Sequence, residues 1–158
     1  MNRIVRIDVA LLEAASRQAA ESPRLRKNHN FHASDDHPCN RLLNAIEPGS
    51  YVRPHCHIDA SKDETILVLR GRVGVLEFDA AGEVSGSAVL EPAGQTMGIN
   101  VPHGTFHSLL ALAPGTVFFE AKAGPYAALL PAERPDWAPE EGSAEAARYL
   151  EWMHSHFK

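Results

Sequence analysis

The chain has 158 residues, 44% of them apolar and 22% charged, an ordinary composition for one globular domain with a single core. A net charge of −5 leaves no basic excess to displace counterions, which argues against general affinity for nucleic acid or anionic membranes. The longest apolar runs are too short to span a bilayer, the N-terminus lacks an apolar core of signal-peptide length, and Cys39 and Cys56 are too few for a disulfide scaffold; a cytoplasmic protein is expected.

Residues 8–21, DVALLEAASRQAAE, predict a helix capped by Asp8, with Leu11, Leu12, Ala15 and Ala19 as its apolar stripe. Ser22-Pro23 ends it, because a residue before proline avoids helical dihedrals. Residues 22–41 are polar, follow neither period and read as a loop. From Leu42 onward short strands are expected near 42–47, 50–57, 64–70, 73–79, 83–90, 96–101, 107–112 and 116–122. Proline or glycine turns such as Glu47-Pro48-Gly49 and Ala113-Pro114-Gly115 separate them. Strands at this spacing predict an all-β sandwich or barrel over 42–124, not alternating βα units. Residues 125–158 form a proline-rich wrapping segment and a second helix over 143–157 with Ser143 as cap. The expected whole is a single domain, 1–158: helix, β-barrel, helix.

Nine histidines are the unusual feature, and their positions carry the chemistry. In GSYVRPHCHIDASKDETILVLRG a strand puts His55 and His57 on one face and Cys56, a small apolar residue, on the other. Two imidazoles so placed can reach one ion. An antiparallel pairing of the 50–57 and 64–70 strands would bring Glu64 beside them, with Asp63 as the alternative carboxylate. His107, opening a strand after the turn VPHGTF, is the expected fourth ligand. Three imidazoles and a carboxylate suit Fe, Mn, Ni, Co or Zn. His103 is expected at a surface or rim, and His154 and His156 in solvent. Tyr126 is expected to pack, with hydrogen bonding at the barrel mouth as the alternative.

If alternation continues past Pro54, Tyr51 and Arg53 also face the interior. Arg53 would then pair with a carboxylate such as Glu77 or Glu120, or clamp a substrate carboxylate or phosphate. The segment RLRKNHNFH is either a solvated loop or a lid over the barrel mouth. As a lid, Arg24, Arg26, Asn28 and Asn30 would bind a polar ligand, and His29 and His32 would serve as general acid or base.

The run Gly49, five residues, His55-x-His57, six residues, Glu64, six residues, Gly71 resembles the first signature of the cupin superfamily, where three or four residues usually separate histidine and glutamate. Pro102-x-Gly104-x-x-His107 resembles the second, with Ala111 where an asparagine is usual. KNHNFH, CNRLLNAIEPGSYVRPHCH and KAGPYAAL with the following WAP are similar to the WbuC family of cupin-fold metalloproteins, over nearly the whole chain. The resemblance implies a cupin-type double-stranded β-helix (jelly-roll) barrel, one divalent transition metal, and an association with bacterial surface-polysaccharide gene clusters, with no assigned reaction. The expected function is a metal-dependent enzyme, of isomerase or oxygenase type, acting on a small anionic or sugar-like molecule. The alternative is a non-catalytic metal-containing binding or accessory protein. A free sheet edge and terminal helices lead to the expectation of a homodimer.

Overall fold

In the computed structural model, which describes residues 3–158, the side chain of Asp8 accepts the Leu11 N–H at 3.1 Å and starts α1 (Val9–Glu21). Met1 and Asn2 of the expected 1–158 domain lie outside the described residues. Ser22 turns extended ahead of Pro23 and ends the helix. The predicted stripe is the face that packs: Ala15 and Ala19, flanked by Leu11 and Leu12, meet Leu43, Ala45 and Val117.

The strands are β1 (Arg26–Asn30), β2 (Cys39–Ile46), β3 (Glu64–Arg70), β4 (Val73–Phe78), β5 (Val84–Leu90), β6 (Gly98–Val101), β7 (Phe106–Ala111) and β8 (Thr116–Ala123). They form a five-stranded antiparallel sheet, β1-β2-β8-β3-β6, and a three-stranded one, β5-β4-β7. Two expectations need correction. Residues 26–30, read as loop or lid, are a strand that pairs Arg26 with Ile46 through Asn30 with Leu42. As an edge strand β1 buries little, so it carries no apolar period to reveal it. Residues 50–57, read as a strand, pair with a strand only at an isolated bridge between His55 and His107. Pro54 has no N–H to give a ladder, and the pairing stops there.

Four layers follow from which faces are apolar. Between the sheets, Ile46, Ile66, Val68 and Phe118 meet Val73, Val75, Leu90 and Leu109. On the outer face of the smaller sheet, Leu76, Phe78 and Leu110 pack against Ala146, Leu150 and Met153 of α2 (Ala144–Ser155). Ser143 caps α2 by accepting the Ala146 N–H. The fold is thus mostly β, with a helix on each outer face. His154, expected in solvent, is half-buried and donates from Nε2 to the Pro48 carbonyl at 3.0 Å. Gly71 turns β3 into β4 at φ 77°, where a Cβ would lie 2.8 Å from the Thr116 Cα.

Candidate metal centre

Register sets one row of side chains across the larger sheet. Asn40 of β2 stands opposite Lys122 of β8, which stands opposite Glu64 of β3, which faces Val101 of β6. His107 comes from β7 in the other sheet. The histidine segment is fixed by its backbone. His55 and His107 exchange N–H···O bonds at 3.1 and 2.9 Å, and the Gly104 N–H donates to the His57 carbonyl at 2.7 Å. Glu133, in a 3-10 turn at Pro131–Glu133, takes hold from the other side. Its carbonyl accepts the Cys56 N–H at 3.0 Å and its carboxylate the Ile58 N–H at 2.8 Å. Burial opposes the charge of Glu133, but N–H bonds from Leu130 and Ile58 outweigh it and hold the carboxyl below its usual range.

His55, His57 and Glu64 each bring a ligand atom within 4.8 Å of the others. His57 Nε2 lies 2.9 Å from Glu64 Oε1, and His107 Nε2 lies 3.1 Å from Glu64 Oε2. The rings of His55 and His107 are 4.7 Å apart, those of His55 and His57 5.2 Å. Adjacent ligands around an ion with bonds of about 2.1 Å are separated by about 3 Å, so the group of His55, His57 and Glu64 fits a shared cation. His107 lies on the second oxygen of the same carboxylate, its ring 6.3 Å from that of His57. Ring orientation fits as well. The Nδ1 of His55 faces the Arg53 carbonyl at 3.0 Å and that of His107 the Thr105 carbonyl at 2.9 Å. A carbonyl only accepts, so each Nδ1 carries a proton, and in the His55 ring this leaves Nε2 free as a donor to metal. Burial, then the neighbouring His107, pushes the His55 pKa down to about 3, keeping that ring neutral. Burial opposes ionisation of Glu64, but bonds from His107 and His57 and the nearby Lys122 overcome it and hold the carboxyl far below its usual range.

The carboxylate in the cluster is Glu64, which is 4% exposed. Asp63 points away and binds the backbone N–H and Nδ1 of His103, both at 2.9 Å, in an exposed pair. Glu64 gets there by a different route from the one expected. β3 pairs with β6 and β8, not with residues 50–57, and Glu64 meets the histidines across the barrel interior.

Lys122 and Glu120 are the site residues that the sequence reading missed or misassigned. The Lys122 ammonium bonds Glu64, lies 3.2 Å from His57 Nε2 and 3.5 Å from Glu120. A cationic group thus rests against two members of the candidate metal cluster. Glu120 takes no bond from Arg53; it accepts the Asn44 Nδ2–H at 2.7 Å. Burial, then the charge of Glu64, raises its pKa. The signal was available: Phe118, Glu120 and Lys122 alternate onto the inward face of TVFFEAKA. These groups open into a cavity of about 720 Å³ whose far wall is β1 and β2.

The remaining expected site residues divide. Arg24, Arg26, Asn28 and Asn30 line the cavity. Both arginines are held by Glu141, at 2.6 and 2.8 Å. Tyr126, expected to pack, is 61% exposed at the cavity mouth. Tyr51 and Arg53 do not share the histidines' face: Pro54 breaks the alternation. The Tyr51 hydroxyl donates to the Pro139 carbonyl at 3.0 Å, and Arg53 binds the Pro135 carbonyl and Glu140 at 3.0 and 2.5 Å. His29 and His32 are also outside the cavity lining. The ring of His29 meets the edge of Phe31 at 5.1 Å, and Nδ1 of His32 accepts the Arg41 N–H at 3.1 Å.

A family model described as a domain of unknown function (DUF6016) matches residues 7–90. No curated protein matches the chain. Among solved structures, KdgF from Halomonas sp. is 18% identical, with a TM-score of 0.50 over 65% of this chain and 82% of its own. A conserved protein of unknown function from Streptococcus pyogenes is 13% identical, with a TM-score of 0.51 over 80% and 96% of the two chains. A cupin superfamily protein from Desulfitobacterium hafniense is 15% identical, with a TM-score of 0.48 over 62% and 76%. The fold is the cupin jelly roll. No helix among the described residues is long and apolar enough to cross a membrane.

Proposed function

The chain belongs to the DUF6016 family, whose description assigns no activity, and we propose that it is a metal-dependent cupin enzyme acting on a small anionic or sugar-like molecule. One observation carries this reading: the buried carboxylate of Glu64 is shared by His57 and His107, with His55 beside them, at the wall of a polar cavity. His55, His57, Glu64 and His107 would hold the metal, one of Fe, Mn, Ni, Co or Zn. When bound, such an ion supplies Lewis acidity to an oxygen of the substrate, which serves isomerase and oxygenase chemistry alike. Lys122 holds Glu64 charged and in place, and Glu120 lies where it can accept a proton from a ligand hydroxyl. The resemblance to the WbuC family supports a role in bacterial surface-polysaccharide metabolism, and the free edge of β1 with the terminal helices supports a homodimer.

The test is turnover by metal-loaded protein of sugar phosphates, hydroxy acids and keto acids, with and without O₂. Conversion that disappears in Glu64→Gln supports an enzyme. A second reading, a non-catalytic binding or accessory protein, is favoured by the positions of His29, His32 and Arg53, none of which lines the cavity. It predicts ligand-induced stabilisation with every substrate recovered unchanged.

A further inference from the structure

We propose that Asn28, Asn30, Asn40 and Asn44 form a hydroxyl-recognition wall opposite the metal donors, and that its ligand is a polyhydroxylated monocarboxylate. This rests on the reading of the cavity as a ligand site. All four amides line the cavity. Asn28 and Asn44 are register partners across β1 and β2, and Asn40 stands opposite Lys122. Asn40 is the independent sign of a ligand. It is 4% exposed, and its Oδ1 is buried without a hydrogen-bond partner among the described residues. A buried amide oxygen without a partner is uncommon and calls for one, and among the described residues left so Asn40 is the one at the cavity lining. Asn44 is half satisfied: its Nδ2 donates to Glu120, which leaves its Oδ1 to accept.

The chemistry of the wall selects the ligand. An amide offers a donor and an acceptor close together, which matches a hydroxyl that must do both. A phosphate dianion is met best by forked guanidinium groups, and neither lining arginine is to spare; Lys27, a lining lysine in no ion pair among the described residues, stands at an exposed edge-strand position. Arg24 and Arg26 are both engaged by Glu141, and Lys122 is engaged by Glu64 and Glu120. Lys62 at the lining donates to the Ala123 and Pro125 carbonyls at 3.2 and 2.6 Å, leaving one of its three N–H groups for a guest. One charge with one free N–H suits one carboxylate. Hydroxyls along the carbon chain then face the asparagines.

The experiment is titration calorimetry of D-gluconate, sorbitol and hexanoate into the protein as purified and after loading with Mn²⁺. The wall predicts gluconate binding at least tenfold tighter than either control. Asn40→Leu should weaken gluconate at least tenfold, leave hexanoate binding and metal content unchanged, and raise the thermal midpoint because an unsatisfied buried amide is gone. Asn28→Ala, at an exposed edge-strand position, should weaken gluconate severalfold and decides the matter if Asn40→Leu fails to fold. Gluconate binding no tighter than hexanoate, or wild-type affinity in both variants, overturns the wall. Absence of metal uptake overturns the metal-enzyme reading instead, since the gluconate comparison is also made on metal-free protein.

Discussion

Lys122 and Glu64 face each other across the β8–β3 ladder, and the lysine ammonium bonds the carboxylate that His57 and His107 also share. Burial opposes the charge on Lys122, but Glu64 and Glu120 more than offset it and raise its pKa. Replacing it by methionine removes a positive charge beside the donors. At an effective dielectric of about 20, a unit charge about 4 Å from a divalent ion is repelled by on the order of 8 kcal/mol. Lys122→Met should therefore bind a divalent cation at least tenfold more tightly in chelator competition. The metal-free variant should be less stable by about 3 kcal/mol in urea unfolding, because two carboxylates lose their partner. Weaker metal binding would mean that Lys122 matters chiefly for holding Glu64 in place.

Removing a donor should act on metal and stability together. His57→Ala and Glu64→Gln are expected to lower bound metal, measured by elemental analysis, to a small fraction of wild type. In wild type, a cation at a hundredfold excess over its dissociation constant stabilises by about 2.7 kcal/mol. That corresponds to a rise in thermal midpoint of about 5–10 °C, absent in both variants. An equal rise in the variants would place the binding elsewhere.

Glu133 contacts no donor atom, yet it holds the backbone on both sides of His57. Glu133→Ala strands the N–H groups of Ile58 and Leu130. It should destabilise the protein by about 1–3 kcal/mol and weaken metal binding about tenfold. Glu133→Gln, which keeps one acceptor, should recover part of both losses. Unchanged metal affinity in the alanine variant would show that the histidine segment holds its shape without this carboxylate.

Acid sensitivity should come from Glu141, whose pKa is pulled down to about 2 by hydrogen bonds from Arg24, then from Arg26. A depressed folded-state pKa contributes stability that is full above the usual carboxylate range and is lost as pH falls through the folded value. The loss therefore falls between about pH 4.5 and pH 2. Since the pair is partly exposed, its size is discounted to about 1 kcal/mol. Glu141→Gln should lower stability by about 1 kcal/mol at neutral pH, flatten the curve in that window and converge with wild type near pH 2; an identical acid slope in the variant refutes the assignment.

The helices, the turns and most strands were legible because each rests on local signals: Asp8 and Ser143 as caps, proline and glycine between apolar runs. The cluster of His55, His57 and Glu64 was legible through motif spacing, even though the strand pairing assumed for Glu64 was not the one observed. What failed was parity through Pro54. Alternation is a property of a hydrogen-bonded strand, and residues 51–58 are extended without being one. Tyr51 and Arg53 were carried to the wrong side by that single step. β1 escaped for the opposite reason, since an edge strand of RKNHN is held by its ladder with β2 and needs no apolar face. Lys122 shares the inward parity of Phe118 and Glu120, a signal outweighed because a lysine in an apolar strand reads as surface until the register shows Glu64 opposite it.

Glu64 belongs to one sheet and His107 to the other, with His55 and His57 on the segment bridged to β7. An ion gripped by all four would rivet the two halves of the barrel at one end. Prying them apart would then require breaking coordinate bonds before the apolar layer could be wetted, so the loaded protein should resist proteases far longer than its equilibrium stability alone implies. Chelation would remove that delay at once, turning a question about chemistry into one about how long the molecule survives.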